Sequence, residues 1–582
     1  MATDPLLQEF PPVSTELWEE VIRKDLKGAD YTKKLIWQTD EGLAVKPYYR
    51  AEDCAGLEFS DAAPGAFPYA RSARSTGDWR IREEVDAVDL AEANAAAHSA
   101  VVAGAEEIAF LKANPERAKD LDVLLTGLNE IPIHFGNASE PLLRLLIAHL
   151  NGQPRPAPIS TGWNPLSNLD FATEAIANAP TALIPFTVHG EEFEELGATA
   201  VEEVGITLAA GVDFLAGMQE RGAEADRAAA SVAFSFAIGA NYFFEIAKLR
   251  AFRAMWAQVV EIFGGLRENA KAKIYARTSR WNETAYDPHV NILRGTTEAM
   301  SAIFGGADSI VVAPFDECYK TPDEASRRLA RNTQIILKKE ALLARVADPG
   351  AGSYCLEVFT DYIAGEGWRL MQKIEAAGGY RKAKADGVIA QSLEKSLAAK
   401  EKAVASRRRI FTGTSQHANL SEKALDRVDA VRLSNGKRGA QMYEQLRLRT
   451  ERYAAKTGET PRVLLAEIGD ARMRAARSGF AANFFACAGF DIVTQKFLSA
   501  GEIAASDADL IVLCSSDAEY PAIATEVIAK LKALGRGTEV IVAGAPDSAG
   551  KLQAAGVADF VNLRSNPIEV LTKWQQRLGI KD

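Results

Sequence analysis

Apolar and polar positions repeat with two different periods along the chain, and the period changes with position. Near the start, "STELWEEVIRKDLKG" sets Leu17, Trp18, Val21, Ile22 and Leu26 on one helical face, behind Ser14 or Thr15 as a cap and ahead of Gly28 as a stop. A helix of this kind so near a terminus reads as an arm that docks on a neighbouring surface. From about residue 35 to 379, short β-rich runs ("LDVLLTG", "ALIPFTVHG", "SVAFSFAIG", "AKIYART", "SIVVAPFD") alternate with helical stretches such as "SEPLLRLLIAHLNG" and "YFFEIAKLRAFRAMWAQVVEIFGG". That alternation predicts a parallel sheet and suits a (β/α)8 TIM-type barrel, with a doubly wound sheet as the alternative. Residues 380–460 are charged and helical and end at Thr460-Pro461. After them five strand runs, "RVLLAEIG", "GFDIVT", "ADLIVLCSS", "TEVIVAGAP" and "VADFVNL", are separated by helices, the pattern of a flavodoxin-like domain. The predicted division is an arm (1–34), a barrel (35–379), a helical linker (380–460) and an α/β domain (461–582). No internal repeat or low-complexity tract is evident.

Composition narrows the partners. The 582 residues are too many for one core, and 47% hydrophobic with 25% charged is ordinary for a soluble globular protein. Net charge is −11, from 67 basic and 78 acidic residues, which argues against nucleic acid or an anionic membrane as the main partner. The run Arg407-Arg408-Arg409 reads as a solvated face or a contact with an acidic neighbour rather than a nucleic-acid patch. Five scattered cysteines without CxxC spacing suggest a reducing cytoplasm. "MATDPLLQEFPPVS" lacks the basic and apolar regions of a signal peptide, and no apolar run approaches the roughly 18 residues of a membrane helix.

Candidate chemistry is sparse. Loops after parallel strands are where open α/β sheets hold ligands. The loop after "RVLLAEI" offers only Gly469, Asp470, Ala471, Arg472, Met473 and Arg474, with no His, no Cys and no glycine-rich cradle. A nucleotide binder would show glycines and a helix N-terminus free of Arg side chains there. His189, in "FTVHGEEFEELG", stands alone, and a lone histidine reads as a structural hydrogen-bonder. The pattern assigns no catalytic, cofactor-binding or metal-ligating residue.

Several segments in order resemble the methylmalonyl-CoA mutase family. "TSRWNETAYDPHVNILRGTTEAMSAIFGGADSIVVAPFDE" carries Thr278-Ser279-Arg280-Trp281, Asp287-Pro288-His289-Val290-Asn291, Arg294 and Glu298-Ala299 in the family's order. "ARNTQIILKKEALLARVADPGAGSY" (330–354) and "NYFFEIAKLRAFRAMWA" (241–257) are similar to two further family segments. The likeness spans nearly the whole chain. It implies a barrel that holds acyl-CoA, a flavodoxin-like domain that holds adenosylcobalamin, and radical interconversion of methylmalonyl-CoA and succinyl-CoA.

The resemblance fails where the chemistry sits. The family's cobalt-ligating Asp-x-His-x-x-Gly loop, aligned on Gly469, becomes Ala471, Met473 and Ala476. A one-residue shift gives Asp470 but puts Arg472 at the ligand position. The next cobalamin-lining segment is Ser515-Ser516-Asp517-Ala518-Glu519, with two carboxylates among the small residues, and "VAGAPDSAG" keeps one glycine of a pair. In the barrel, Tyr275 or a neighbour replaces a histidine, and Arg74 stands where the family has a tyrosine before Trp79-Arg80-Ile81-Arg82. The retained Arg294, Asp287, Arg331 and Asn332 are expected to form buried ion pairs and caps, and Gly305-Gly306, Gly350 and Gly352 to serve turns. The resemblance therefore implies the small, non-catalytic subunit of a heterodimeric isomerase, with adenosylcobalamin and the acyl-CoA substrate on a large catalytic partner. The alternatives are an active acyl-CoA mutase of altered specificity that borrows cobalamin from another subunit, and a non-enzymatic small-ligand-binding protein.

Overall fold

The computed structural model describes residues 12–57, 62–434 and 436–581. The arm contains helix α1 (Thr15–Asp25), and Ser14 is its cap, accepting from the Leu17 N–H at 3.3 Å. Trp18 stacks on Tyr48 with ring centroids 4.6 Å apart, whereas Leu17 and Val21 are exposed.

Nine parallel strands follow: β1 (Arg80–Asp86), β2 (Glu107–Leu111), β3 (Ile133–Phe135), β4 (Ile159–Thr161), β5 (Leu183–Ile184), β6 (Phe186–His189), β7 (Val232–Ile238), β8 (Lys273–Thr278) and β9 (Ser309–Val311). Their order in the sheet is β5-β4-β3-β2-β1-β9-β8-β7-β6. The two ends of that sheet, β5 and β6, are separated in the chain only by Pro185, which has no N–H to give to a ladder. The sheet thus rolls into a nearly closed barrel of the TIM type. Strand β7 shows how sequence sets its two faces. Phe234 packs outward on Phe252 and Trp256, each at 4.7 Å, while Ser235 points inward to His189.

One predicted strand is a helix. "LDVLLTG" falls in α2 (Ala118–Leu125), with Leu121, Leu124, Leu125 and Leu128 all buried. Those four leucines repeat at helical spacing, which a seven-residue window is too short to display against its β-prone composition.

Helices α3 (Ala200–Glu220), α4 (Tyr242–Ile262), α5 (Val290–Phe304), α6 (Glu324–Lys339) and α7 (Tyr354–Ala376) pack outside the barrel. Helix α4 is the "FEIAKLRAFR" segment and is buried nearly all round. A helix so enclosed must pair its charges. Lys248 reaches Glu203 of α3 at 2.7 Å and Glu245 at 2.5 Å. Arg250 reaches Glu357 of α7 at 2.9 Å, and Arg253 donates to the Tyr69 carbonyl at 3.0 Å.

Helix α8 (Val388–Ala405), an irregular stretch and helix α9 (Gln441–Thr457) lead to a second parallel sheet. Its strands are β10 (Arg462–Glu467), β11 (Asp491–Lys496), β12 (Leu510–Cys514), β13 (Glu539–Ala543) and β14 (Asp559–Val561), in the order β11-β10-β12-β13-β14. Helices α10 (Ala471–Ala486) and α11 (Tyr520–Ala533) follow β10 and β12. One apolar core joins Trp281 of the barrel, Val404, Phe411 and Tyr443 to Phe484, Phe485 and Trp574 around this sheet. Gly439 sits in the seam, where a Cβ would lie 2.2 Å from the Phe411 ring.

Candidate functional site

The barrel lumen is crossed by side chains. Arg82 of β1 donates to Glu107 of β2 at 2.7 Å, and its guanidinium lies 4.0 Å from the centre of the Tyr275 ring on β8. The Tyr275 ring meets the His134 ring of β3 at 5.5 Å, edge to face, and His134 Nδ1 is 2.9 Å from Ser160 Oγ of β4. Strands β8 and β3 are not neighbours in the sheet, so the Tyr275–His134 contact spans the lumen. Burial holds the His134 imidazole neutral, its pKa pushed well below the usual value, with Arg82 adding to the effect.

A second layer lies above it, at the C-terminal ends of the strands. Arg277 is held by Glu84 at 3.2 Å and by Glu317 at 2.7 Å, and Arg280 also reaches Glu317, at 3.3 Å. Burial opposes the charge of Arg277, but Glu317 and Glu84 outweigh it and raise its pKa. His189 Nδ1 lies 2.9 Å from Glu191, and its Nε2 donates to the Gly162 carbonyl at 2.8 Å. Burial works against the imidazolium, yet the Glu191 carboxylate raises the His189 pKa to about 9. His189 Nδ1 also lies 3.3 Å from the Ser235 hydroxyl of β7, so the ring links β6 to β7 and to the loop after β4.

Close by, four buried carboxylates gather, Glu194, Glu203, Glu245 and Glu298; the Lys248 ammonium pairs with Glu203 and Glu245, and Lys400 as well as Lys248 acts on Glu194. Glu298 accepts from Asn282 Nδ2 at 2.9 Å, and burial, aided by Glu245 and Glu194, raises its pKa from the ordinary 4.5 to about 8. Below pH 4.5 this carboxyl is protonated whether the chain is folded or not. As pH rises from there to about 8 the unfolded chain alone gains the charge, so folding stability falls across that window. Glu298→Gln is expected to flatten the fall in unfolding free energy between pH 5.5 and 8, measured by chemical denaturation, by an amount on the order of 1–3 kcal/mol. Identical pH slopes for the two proteins would rule this out.

The retained family residues make contacts within the chain that match the expected buried ion pairs and caps only in part. Arg331 is ion-paired with Glu83 and buried. Arg294 binds neutral oxygens instead, Asn291 Oδ1 at 2.7 Å and the Thr412 carbonyl at 2.9 Å. Asp287 contributes its backbone N–H, donated to Glu422 at 2.9 Å, and Asn332 is half-buried on α6. Arg74 pairs with Asp308, just before β9, and so lies at the N-terminal rim, away from the mouth.

At the C-terminal edge of the second sheet, helix α10 starts at Ala471, capped by Asp470, which accepts from the Arg472 and Met473 N–H groups at 3.1 and 2.8 Å. Ala471, Met473 and Ala476 therefore lie within the first two turns of a helix. None of the three carries an imidazole, and Ala471 and Ala476 are exposed. Both carboxylates of this segment have partners, although Asp517 is exposed. Asp517 pairs with Arg477 at 3.1 Å against Gly544, and Glu519 turns back onto Gly469, Asp470, Ser515 and Ser516. The donor set does not fit a base-off cobalamin.

His134, Arg82, Glu84 and Glu317 escaped the sequence reading. The signal was present in "RIREE" and "KIYAR", where Arg80, Arg82 and Glu84, and Lys273, Tyr275 and Arg277, recur at every second position. Strands of a parallel barrel are usually apolar on both faces, so alternating charge inside one marks a polar lumen. Among the described residues no group of three or more His, Cys, Asp or Glu is arranged to hold a metal ion, and no helix is long and apolar enough to cross a membrane.

Comparison with known proteins agrees with this geometry. The methylmalonyl-CoA mutase small subunit of Porphyromonas gingivalis is 37% identical over 99% of both chains, and that of Streptomyces virginiae 32% identical over 99% of this chain and 98% of its own. The methylmalonyl-CoA mutase large subunit of Streptomyces virginiae is 29% identical over 78% of this chain and 69% of its own. The family profile described as methylmalonyl-CoA mutase matches residues 169–482, from the middle of the barrel to helix α10. With its barrel, its second sheet and its near full-length likeness in place, the chain belongs to the methylmalonyl-CoA mutase family.

Proposed function

We propose that this chain is the small, non-catalytic subunit of a heterodimeric methylmalonyl-CoA mutase. It supports a large subunit that interconverts methylmalonyl-CoA and succinyl-CoA. The observation that carries the reading is the Arg82–Tyr275–His134–Ser160 bridge across the lumen, under the Arg277–Glu84–Glu317 layer. An acyl-CoA entering this barrel would have to displace buried, mutually paired charges, at a cost of several kcal/mol per ion.

The division into arm (1–34), barrel (35–379), helical linker (380–460) and degenerate cobalamin-binding-type domain (461–582) belongs to the same proposal. The strand order β11-β10-β12-β13-β14 supports a flavodoxin-like second domain. Adenosylcobalamin and substrate are assigned to the large partner, and this chain is assigned no catalytic, cofactor-binding or metal-binding residue. Five unpaired cysteines support residence in the cytoplasm. In the complex the chain's part is mechanical, a rigid body that backs the partner's water-excluding site.

The test is to purify the chain alone and with a candidate large subunit, and to follow adenosylcobalamin by its visible spectrum alongside mutase activity. The isolated chain is expected to bind none and to be inactive, with activity in the complex. Stoichiometric base-off cobalamin on the isolated chain, or turnover by it, would overturn the reading.

A further inference from the structure

The C-terminal edge of the second sheet converges four hydrogen-bond donors on one point. From the loop after β12 come the hydroxyls of Ser515 and Ser516 and the Ser516 N–H. From the loop after β10 comes the Asp470 N–H. All four meet one carboxylate of the chain itself, Glu519, whose Oε2 lies 2.8, 2.6, 3.3 and 3.1 Å from them, with Oε1 3.2 Å from the Asp470 nitrogen.

The backbone is shaped for this approach. Gly469 has φ +79°, and a Cβ there would stand 2.5 Å from the Glu519 carboxylate. A left-handed residue followed by an inward N–H is the concave arrangement that backbones use to hold anions. The nearby acids do not fill it. Asp470 is spent on capping α10, and Asp517 is neutralised by Arg477. Arg474 adds positive charge close by, donating to the Gly469 carbonyl at 3.2 Å. The hydroxyl of Ser516, then the Asp470 N–H and the Ser515 hydroxyl, hold the Glu519 pKa down at about 2.

Hydroxyls and N–H groups drawn from two separate loops match a tetrahedral oxyanion better than the needs of a surface glutamate. We infer that Glu519 is the built-in occupant of a phosphate-type oxyanion site at the ends of β10 and β12, and that its carboxylate keeps phosphate-bearing ligands off this edge. The sheet edge is closed by a tethered anion, not by loss of its donors. Withdrawing that carboxylate leaves Ser515, Ser516 and the Asp470 N–H aimed at a vacant position.

The test titrates inorganic phosphate into the full chain by calorimetry and follows amide exchange in a peptide containing Asp470. The wild-type chain is expected to show no saturable binding. Glu519→Ala, and Glu519→Ser, which keeps a polar residue ahead of α11, are each expected to bind one phosphate. Exchange at Asp470 should quicken in the variants and slow again with phosphate. Adding Ser515→Ala and Ser516→Ala to Glu519→Ala should weaken binding by about tenfold or more. The inference is overturned if either variant, folded by circular dichroism, binds no phosphate. It is equally overturned if the wild type binds as tightly, or if loss of both serines changes nothing. Mutase activity has no part in these readouts, so failure here and failure of the small-subunit reading are separate results.

Discussion

Glu444→Ala is expected to lower the first unfolding transition by about 3–5 kcal/mol, the usual consequence of leaving one member of a buried ion pair alone. Glu444 is fully buried and takes both arms of Arg438, at 2.7 and 3.1 Å. It also accepts the Ala285 N–H at 2.7 Å, so one carboxylate ties helix α9 to the loop between β8 and α5. Burial presses Arg438 toward neutrality, but Glu444 outweighs it and raises the guanidinium pKa. Without Glu444 that cation keeps, among the described residues, the carbonyls of Glu283 and Leu433, both at 3.2 Å. Urea unfolding followed by tryptophan fluorescence reads the change, because Trp281 stands in the same loop. A loss below about 1 kcal/mol would mean that Arg438 finds solvent or another acid.

Lys248→Met is expected to be as damaging at pH 8 and much milder at pH 5. The ammonium is completely buried and holds Glu203 at 2.7 Å, Glu245 at 2.5 Å and the Ala237 carbonyl at 2.5 Å. Burial alone would strip its charge, yet the two glutamates raise its pKa. Methionine fills the same space without the charge and leaves the Glu203 and Glu245 carboxylates facing each other. They answer by staying protonated, as Glu298 already does with its pKa raised to about 8 by burial. A carboxyl with a raised folded-state pKa stabilises below its unfolded value and loses that contribution as pH climbs through the folded value. The penalty should therefore be about 3–5 kcal/mol at pH 8 and shrink as the pH approaches the unfolded-state range. Chemical denaturation at the two pH values decides the matter, and an equal penalty at both would show that Lys248 is not the counter-ion of this cluster.

The sequence spoke clearly where one force dominates. Runs such as "VAFSFAI" and "LIVLC" are buried on both faces, and Ser14 follows a capping rule that needs no tertiary context. It misled where a short window hid the period, as in the leucines of α2. The closure of the barrel at Pro185 was not visible, because a proline inside "ALIPFTVHG" looks like a break in one strand and not like the place where two ends of a sheet meet. The sequence of the loop at 469–474 shows plainly that it carries no His or Cys. That Glu519 turns back onto this loop was not legible, since it lies some fifty positions away and only the fold brings its carboxylate to Gly469. The same holds for His134 and Tyr275, which meet only across the rolled sheet.

Gly439, Trp281 and Phe411 sit in a seam whose far wall is Phe484, Phe485 and Trp574. Thr460-Pro461 reads as a boundary between units, yet a cut there would not release two independent bodies. Each fragment would carry an uncovered aromatic face that only the other can cover. A protease nick at that point should leave the pieces associated until a denaturant parts them, and a gene truncated there should yield a sticky, poorly soluble product. For this chain the boundary written in the sequence is a joint of the backbone and not of the core.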